Sequence, residues 1–183
     1  MKKKKEIKDE DDEFVPEGVP VIDTGDENKN DTEPVDINDV VRSGTVDVDY
    51  DKAHRLYDRL SDEEKSFLAP HGNYVDSPNL LLRKGYVLDD MCFGFCDVYT
   101  SKVDPDTDSG DTGVLTVAVD PIARGNGLSY LVTKAAIEAG AKFGLVHYIY
   151  KVDKKNEPSI GLAKKLGGEI ISEDDSLYKF KIN

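Results

Sequence analysis

The residues best placed to do chemistry lie between Val119 and Leu131, in VDPIARGNGLSYL. A short apolar strand runs into a proline, an arginine and two glycines, then at once into a helical pattern. Glycines at such a point cost conformational entropy and bury nothing. A turn that brings backbone N–H groups up to a negative group would explain them, and a phosphate at a helix N-terminus is the first candidate. Gly125, Asn126, Gly127, Leu128 and Ser129 would supply consecutive donors, and Arg124 a charge-assisted bond. A tight strand-to-helix turn with no ligand fits the same spacing, so the rest of the chain has to decide.

Other side chains offer weaker chemistry. Asp97 and Tyr99 fall on one face of the strand-like MCFGFCDVY and are weak candidates for catalytic groups. His147 and Tyr150 lie on a later strand. Proton transfer would ask one of these, or a water held by one, to receive an amine proton. His54 and His71 have no evident partner. No His, Asp and Glu cluster has metal-ligand spacing, so no metal is expected. Cys92 and Cys96 form a C-x3-C pair without further ligands. On a strand both would point to one face with Cα atoms ~13 Å apart, too far for an easy disulfide. Buried free thiols are expected.

The elements that would position these residues follow from periodicity. TVDVD from Thr45 alternates like a strand, and YDKAHRLYDRL has helical spacing at Ala53, Leu56, Tyr57 and Leu60. Ser61 and Glu64 in SDEE have the spacing of a capping box. LLLRKGYVLDD, MCFGFCDVYTSK and GVLTVAVD read as three strands of an antiparallel meander. After the glycine turn, Leu128, Leu131, Val132, Ala135, Ala136 and Ala139 form one apolar helix face. LVHYIYKV is a strand, Pro158 suits the first turn of another helix, and Gly167-Gly168 can end it. GEIISE and SLYKFKI close the domain as a strand pair.

Composition sets the outer limits. The 183 residues are 38% hydrophobic and 33% charged, with a net charge of -13. Residues 1 to 46 carry 14 Asp and Glu against 7 Lys and Arg, with three prolines among scattered apolar residues. Such a stretch cannot bury enough surface to offset its ordering entropy. Residues 1–44 are expected to be a disordered acidic tail, solubilising or docking a protein partner, and residues 45–183 the folded domain. The acidic balance argues against a nucleic-acid partner. No run reaches the ~20 apolar residues of a membrane span. Acidic residues follow MKKKK where a signal peptide needs an apolar stretch. A cytoplasmic chain is expected, in a host cytoplasm if the source is viral.

Two segments, in order, resemble the GNAT superfamily of acyl-CoA-dependent N-acetyltransferases. The first is Arg124-Gly125-Asn126-Gly127-Leu128-Ser129, where Arg124 and Gly127 fit the pattern of Gln or Arg, two residues, Gly, one residue, Gly or Ala, and Ser129 replaces the last small residue. The second is Asn156-Glu157-Pro158-Ser159 with Leu162-Ala163-Lys164-Lys165-Leu166-Gly167-Gly168. The resemblance implies an α/β GNAT-like fold, a central mixed, mostly antiparallel sheet flanked by helices. It implies acetyl-CoA as co-substrate, its pyrophosphate on Arg124 to Ser129 and its pantetheine along Val117, Ala118 and Val119, with Asn156 near the pantetheine arm. The strand before the turn should splay from its neighbour and polarise the thioester carbonyl.

The resemblance fails at the acid and base. Where many members carry a proton-donating Tyr this chain has Ala163, and where the branch acting on protein N-termini carries a Glu it has Lys151. The expected activity is acetyl transfer from acetyl-CoA to an amine, by direct attack on the thioester. The alternative is a weak or inactive binding or structural protein of this fold, docking a bacterial or phage assembly through its tail. The acidic residues Asp62, Glu63, Glu64 and Asp76 mildly favour a cationic acceptor.

Overall fold

The computed structural model describes residues 35–68, 77–104 and 109–183. Seven strands form one sheet: β1 (Thr45–Asp47), β2 (Leu80–Leu88), β3 (Met91–Thr100), β4 (Thr112–Val119), β5 (His147–Asp153), β6 (Glu169–Glu173) and β7 (Leu177–Ile182). Their order across the sheet is β1-β2-β3-β4-β5-β7-β6, and β4–β5 is the parallel pair. The other neighbours run antiparallel. The helices are α1 (Ile37–Arg42), α2 (Tyr50–Asp58), α3 (Asp62–Leu68), α4 (Leu128–Gly140) and α5 (Glu157–Lys165). The architecture is the mixed α/β sheet with flanking helices expected from sequence.

Local chemistry sets the element ends. Asp89 and Asp90 both take positive φ, 48° and 66°, which closes the tight β2–β3 hairpin. The capping box at α3 is reciprocal: Ser61 N–H donates to Glu64 Oε2 at 2.7 Å, and Glu64 N–H to Ser61 Oγ at 3.3 Å. Two apolar layers sandwich the sheet. Phe93, Cys96, Val98, Leu115, Tyr150 and Phe180 pack with Val132 and Ala136 of α4 and Leu162 of α5. Cys92, Phe95, Tyr99, Val114 and Ile149 pack with Leu56 of α2 and Leu68 of α3.

Two expectations are corrected. The folded domain starts before residue 45. Asp36 caps α1 through a 2.8 Å bond from Asn38 N–H, and Val40 is fully buried in the core. The apolar trio Ile37, Val40 and Val41 covers too few turns to register against an acidic background. Residues 1–34 of the expected tail lie outside the described residues, as do His71 and Asp76. The second correction concerns the thiols. A bulge between Tyr86↔Gly94 and Val87↔Cys92 reverses the alternation at Phe93. Cys92 and Cys96 are buried and free, as expected, but belong to opposite layers.

A charged cluster sits inside the second layer. Arg83 of β2 and Asp97 of β3 are register partners and almost wholly buried. Arg83 donates from Nε to Oδ1 at 2.6 Å and from Nη2 to Oδ2 at 2.8 Å, while the Tyr99 hydroxyl donates to Oδ2 at 2.7 Å. Burial raises the Asp97 carboxyl above its ordinary value against the pull of Arg83 and Tyr99. Removing one partner strands a buried charge, at a cost of about 3–5 kcal/mol. Arg83→Met should therefore lower the melting temperature by roughly 10 °C. Adding Asp97→Leu should recover much of that loss, because no buried charge is then left unpaired. A double variant melting below the single one would refute the pairing.

Candidate functional site

The central event in the sheet is the parting of β4 and β5. Their parallel ladder holds only Thr112↔His147, Gly113↔Tyr148 and Val114↔Ile149. Both strands then continue, to Val119 and Asp153. Their outer edges stay paired: Val117, Ala118 and Val119 with β3, and Tyr150 to Asp153 with β7. Past Val114 the facing edges have no strand partner among the described residues, leaving backbone donors and acceptors to be satisfied by something else. Thr116, Val117, Tyr150, Lys151, Asn156 and Ser159 line the resulting cleft.

The glycine turn begins where β4 leaves the sheet. Asp120 fixes that point. Its N–H donates to the Phe93 carbonyl at 2.9 Å, its Oδ1 accepts from Ile122 N–H at 3.1 Å, and its Oδ2 accepts from Arg59 Nε at 2.6 Å. Arg59 also donates to the Cys92 carbonyl at 2.7 Å, so α2 holds both strand ends. Gly125 and Gly127 then take φ of +80° and +72°, the left-handed region that favours glycine. A Cβ at either would meet nothing within 4 Å, so the space before the turn is open. Gly127 is the N-cap of α4 and gives no side-chain cap. The amides of Gly125, Asn126, Gly127, Leu128 and Ser129 donate to no described residue. They stand at the positive end of a 13-residue helix dipole.

The other residues singled out in the sequence fall as follows. The Arg124 side chain does not face the turn. It pairs with Glu64 and donates to the Val119 carbonyl at 3.3 and 3.2 Å, so that carbonyl is not free. Asn126 braces the turn from within, its Nδ2 donating to the Arg124 carbonyl at 3.0 Å. Asn156 caps α5, accepting from Ser159 N–H at 3.2 Å, and also lines the cleft. Asp97 and Tyr99 share one face but do not line the cleft; they belong to the buried cluster with Arg83. His147 lines a separate open groove between β5, β7 and β6, where its Nδ1 is buried with no partner among the described residues. His54 pairs with Asp58 on the surface of α2.

Tyr150 is the titratable hydroxyl in the cleft. It bonds the Ser159 side chain, and burial pushes its pKa up to about 12. It is one of the four side chains considered for proton transfer from the sequence, and the parting of β4 and β5 is what places it in the cleft. Thr116 gave no signal in the sequence at all. Its hydroxyl is buried beside the cleft with no partner among the described residues.

With this geometry in hand, the comparisons are direct. The sequence profile of the acetyltransferase (GNAT) family matches residues 61–168. The chain belongs to the GNAT acetyltransferase family. No curated protein sequence matches it. Among solved structures, the GNAT domain of Streptomyces lividans PAT superposes with a TM-score of 0.63 at 13% identity, covering 75% of this chain and 88% of that one. The ribosomal-protein-S18-alanine N-acetyltransferase of Escherichia coli gives 0.55 at 16% identity, covering 75% and 91%. The Salmonella typhimurium protein YncA, solved with its cofactor acetyl-CoA, gives 0.54 at 16%, covering 76% and 92%. At these identities the likeness is one of fold. No described helix is long and apolar enough to cross a membrane.

Proposed function

We propose that this chain is an N-acetyltransferase that moves an acetyl group from acetyl-CoA to an amine by direct attack on the thioester. The observation that carries the reading is the unpaired edge of β4 running straight into five unpaired amides. One edge of backbone groups suits the amide-bearing pantetheine arm, and the turn suits the pyrophosphate. Val117 and its neighbours would orient the thioester and polarise its carbonyl with backbone N–H groups. Asn156 would hold the arm from the β5 side. Arg124 reaches a phosphate only by leaving Glu64, so the main anion donors are the backbone amides.

In the transfer, the amine nitrogen bonds the carbonyl carbon and the carbon–sulfur bond breaks. One proton leaves the amine for water and one reaches the sulfur. Tyr150 is suited to supply the second proton. Its phenol lines the cleft, and at neutral pH it keeps its proton because its pKa lies near 12. Ser159 fixes its orientation. Holding the two reactants together supplies a large share of the remaining rate.

A thermal-shift titration tests the binding step. Acetyl-CoA at a hundredfold its dissociation constant should add about 2.7 kcal/mol of stability. That is a rise in melting temperature of roughly 5 to 10 °C. Ser129→Glu, in the first turn of α4, places a carboxylate where a helix N-terminus favours one, so the fold should keep its stability. The variant should lose the shift. A native chain that melts cooperatively with no shift would contradict the reading. For the chemical step, Tyr150→Phe should lower kcat by ~100-fold with acetyl-CoA affinity unchanged. An unaltered kcat would remove Tyr150 from the mechanism.

A further inference from the structure

The Arg124 side chain lies between the two parts of the proposed coenzyme site, the split edge of β4 and the glycine turn. It rises from the residue before Gly125. Its Nε and Nη2 donate to the Val119 carbonyl at 3.3 and 3.2 Å, and its Nη1 pairs with Glu64 of α3. The Asp120 N–H points at the Phe93 carbonyl of β3. Successive residues of a strand aim their backbone groups at opposite sides, so the Val119 carbonyl faces the split. Val119 is the last residue of β4, and its carbonyl is the last acceptor of that edge before the turn. Arg124 covers it.

Glu64 is placed to hold Arg124 there. Its Oε2 accepts from Ser61 N–H at 2.7 Å in the capping box of α3, which leaves Oε1 for the guanidinium. Arg124 in turn holds the Glu64 carboxyl below its ordinary value, so the pair is charged at neutral pH. The two side chains are 45% and 24% exposed, which makes this a weak ion pair that a multiply charged anion can break.

We propose that Glu64 sets the affinity for the coenzyme, by holding Arg124 over the split edge of β4 and away from the phosphates. Glu64 and the pyrophosphate compete for one guanidinium. Arg124 released from Glu64 uncovers the Val119 carbonyl for the amide-bearing arm, and its fork of N–H donors joins the amides of the turn. The competition falls on acetyl-CoA and on product CoA alike, so it shortens retention of the product. Glu64 is a positioning residue, acting through Arg124. This inference rests on the acetyltransferase reading and adds to it a residue of α3 that weakens the binding.

Calorimetry on the full chain tests it, with acetyl-CoA and with S-acetylpantetheine, which lacks the phosphates. Glu64→Gln removes the charge and keeps the capping box, where glutamine serves equally. The variant should melt within ~3 °C of the native chain. It should bind acetyl-CoA about fivefold more tightly. A merely structural role would not produce a gain. S-acetylpantetheine should bind both chains within about twofold, because it offers Arg124 no anion to move to. Glu64→Gln with Arg124→Met should bind acetyl-CoA within about twofold of Arg124→Met alone. Unchanged or weaker binding of acetyl-CoA by Glu64→Gln would overturn the proposal. So would a fivefold gain that persists with Arg124→Met or extends to S-acetylpantetheine, since Glu64 would then act by its own charge or through the fold. If the native chain binds acetyl-CoA in any of these cases, only the role of Glu64 falls. If neither chain binds it, the acetyltransferase reading falls as well.

Discussion

Two parallel strands that stop pairing after three residues pose a problem that the rest of this fold answers. A sheet interior is a costly place for unpaired backbone groups, because each must find a partner or lose its hydration. The parting of β4 and β5 is held open from several sides. The pairing of β4 with β3 and of β5 with β7 continues along the outer edges. Arg59, the C-cap of α2, ties the end of β4 to β3 through Asp120 and the Cys92 carbonyl. Asn156, the N-cap of α5, and Ser159 in its first turn stand on the far side. The split is thus built into the register, and the glycine turn continues it into the N-terminus of α4.

The charges near the split have two different characters. The Arg83–Asp97 pair lies under apolar cover, where desolvation offsets most of the Coulombic gain. Its place in the fold is to fix the register of β2 against β3 next to Thr116. The Lys151–Asp104–Lys179 group borders a groove whose lining also carries Asp111, Glu173, Asp174 and Lys181. The same sheet face therefore carries an ion pair under apolar cover on one side of the cleft and a lysine–carboxylate cluster beside a groove on the other.

Much of this was legible in the sequence, and the reason lies in how local each signal is. The turn showed through Gly125 and Gly127, whose positive φ is a requirement of their own backbone. The α3 cap showed through Ser61 and Glu64, three residues apart. The hairpin turn at Asp89-Asp90 was marked by composition between two apolar runs. What failed depends on partners far along the chain. The bulge at Phe93 is set by β2, so the thiols could not be assigned to layers from spacing. Asp97 read as a candidate base because nothing local announces Arg83, fourteen residues earlier, as its partner. The bond of Arg124 to Glu64 spans sixty residues and left no mark in the sequence. The split itself came only through the resemblance to a family. No periodicity records where two strands part.

The most direct test is amide hydrogen exchange on the full chain with and without acetyl-CoA. If the split edge of β4 and the turn hold the two ends of one ligand, exchange should slow together in Leu115 to Val119 and in Gly125 to Leu131. The β2–β3 hairpin should stay unchanged. Slowing confined to other segments, or none at saturating ligand, would contradict the account.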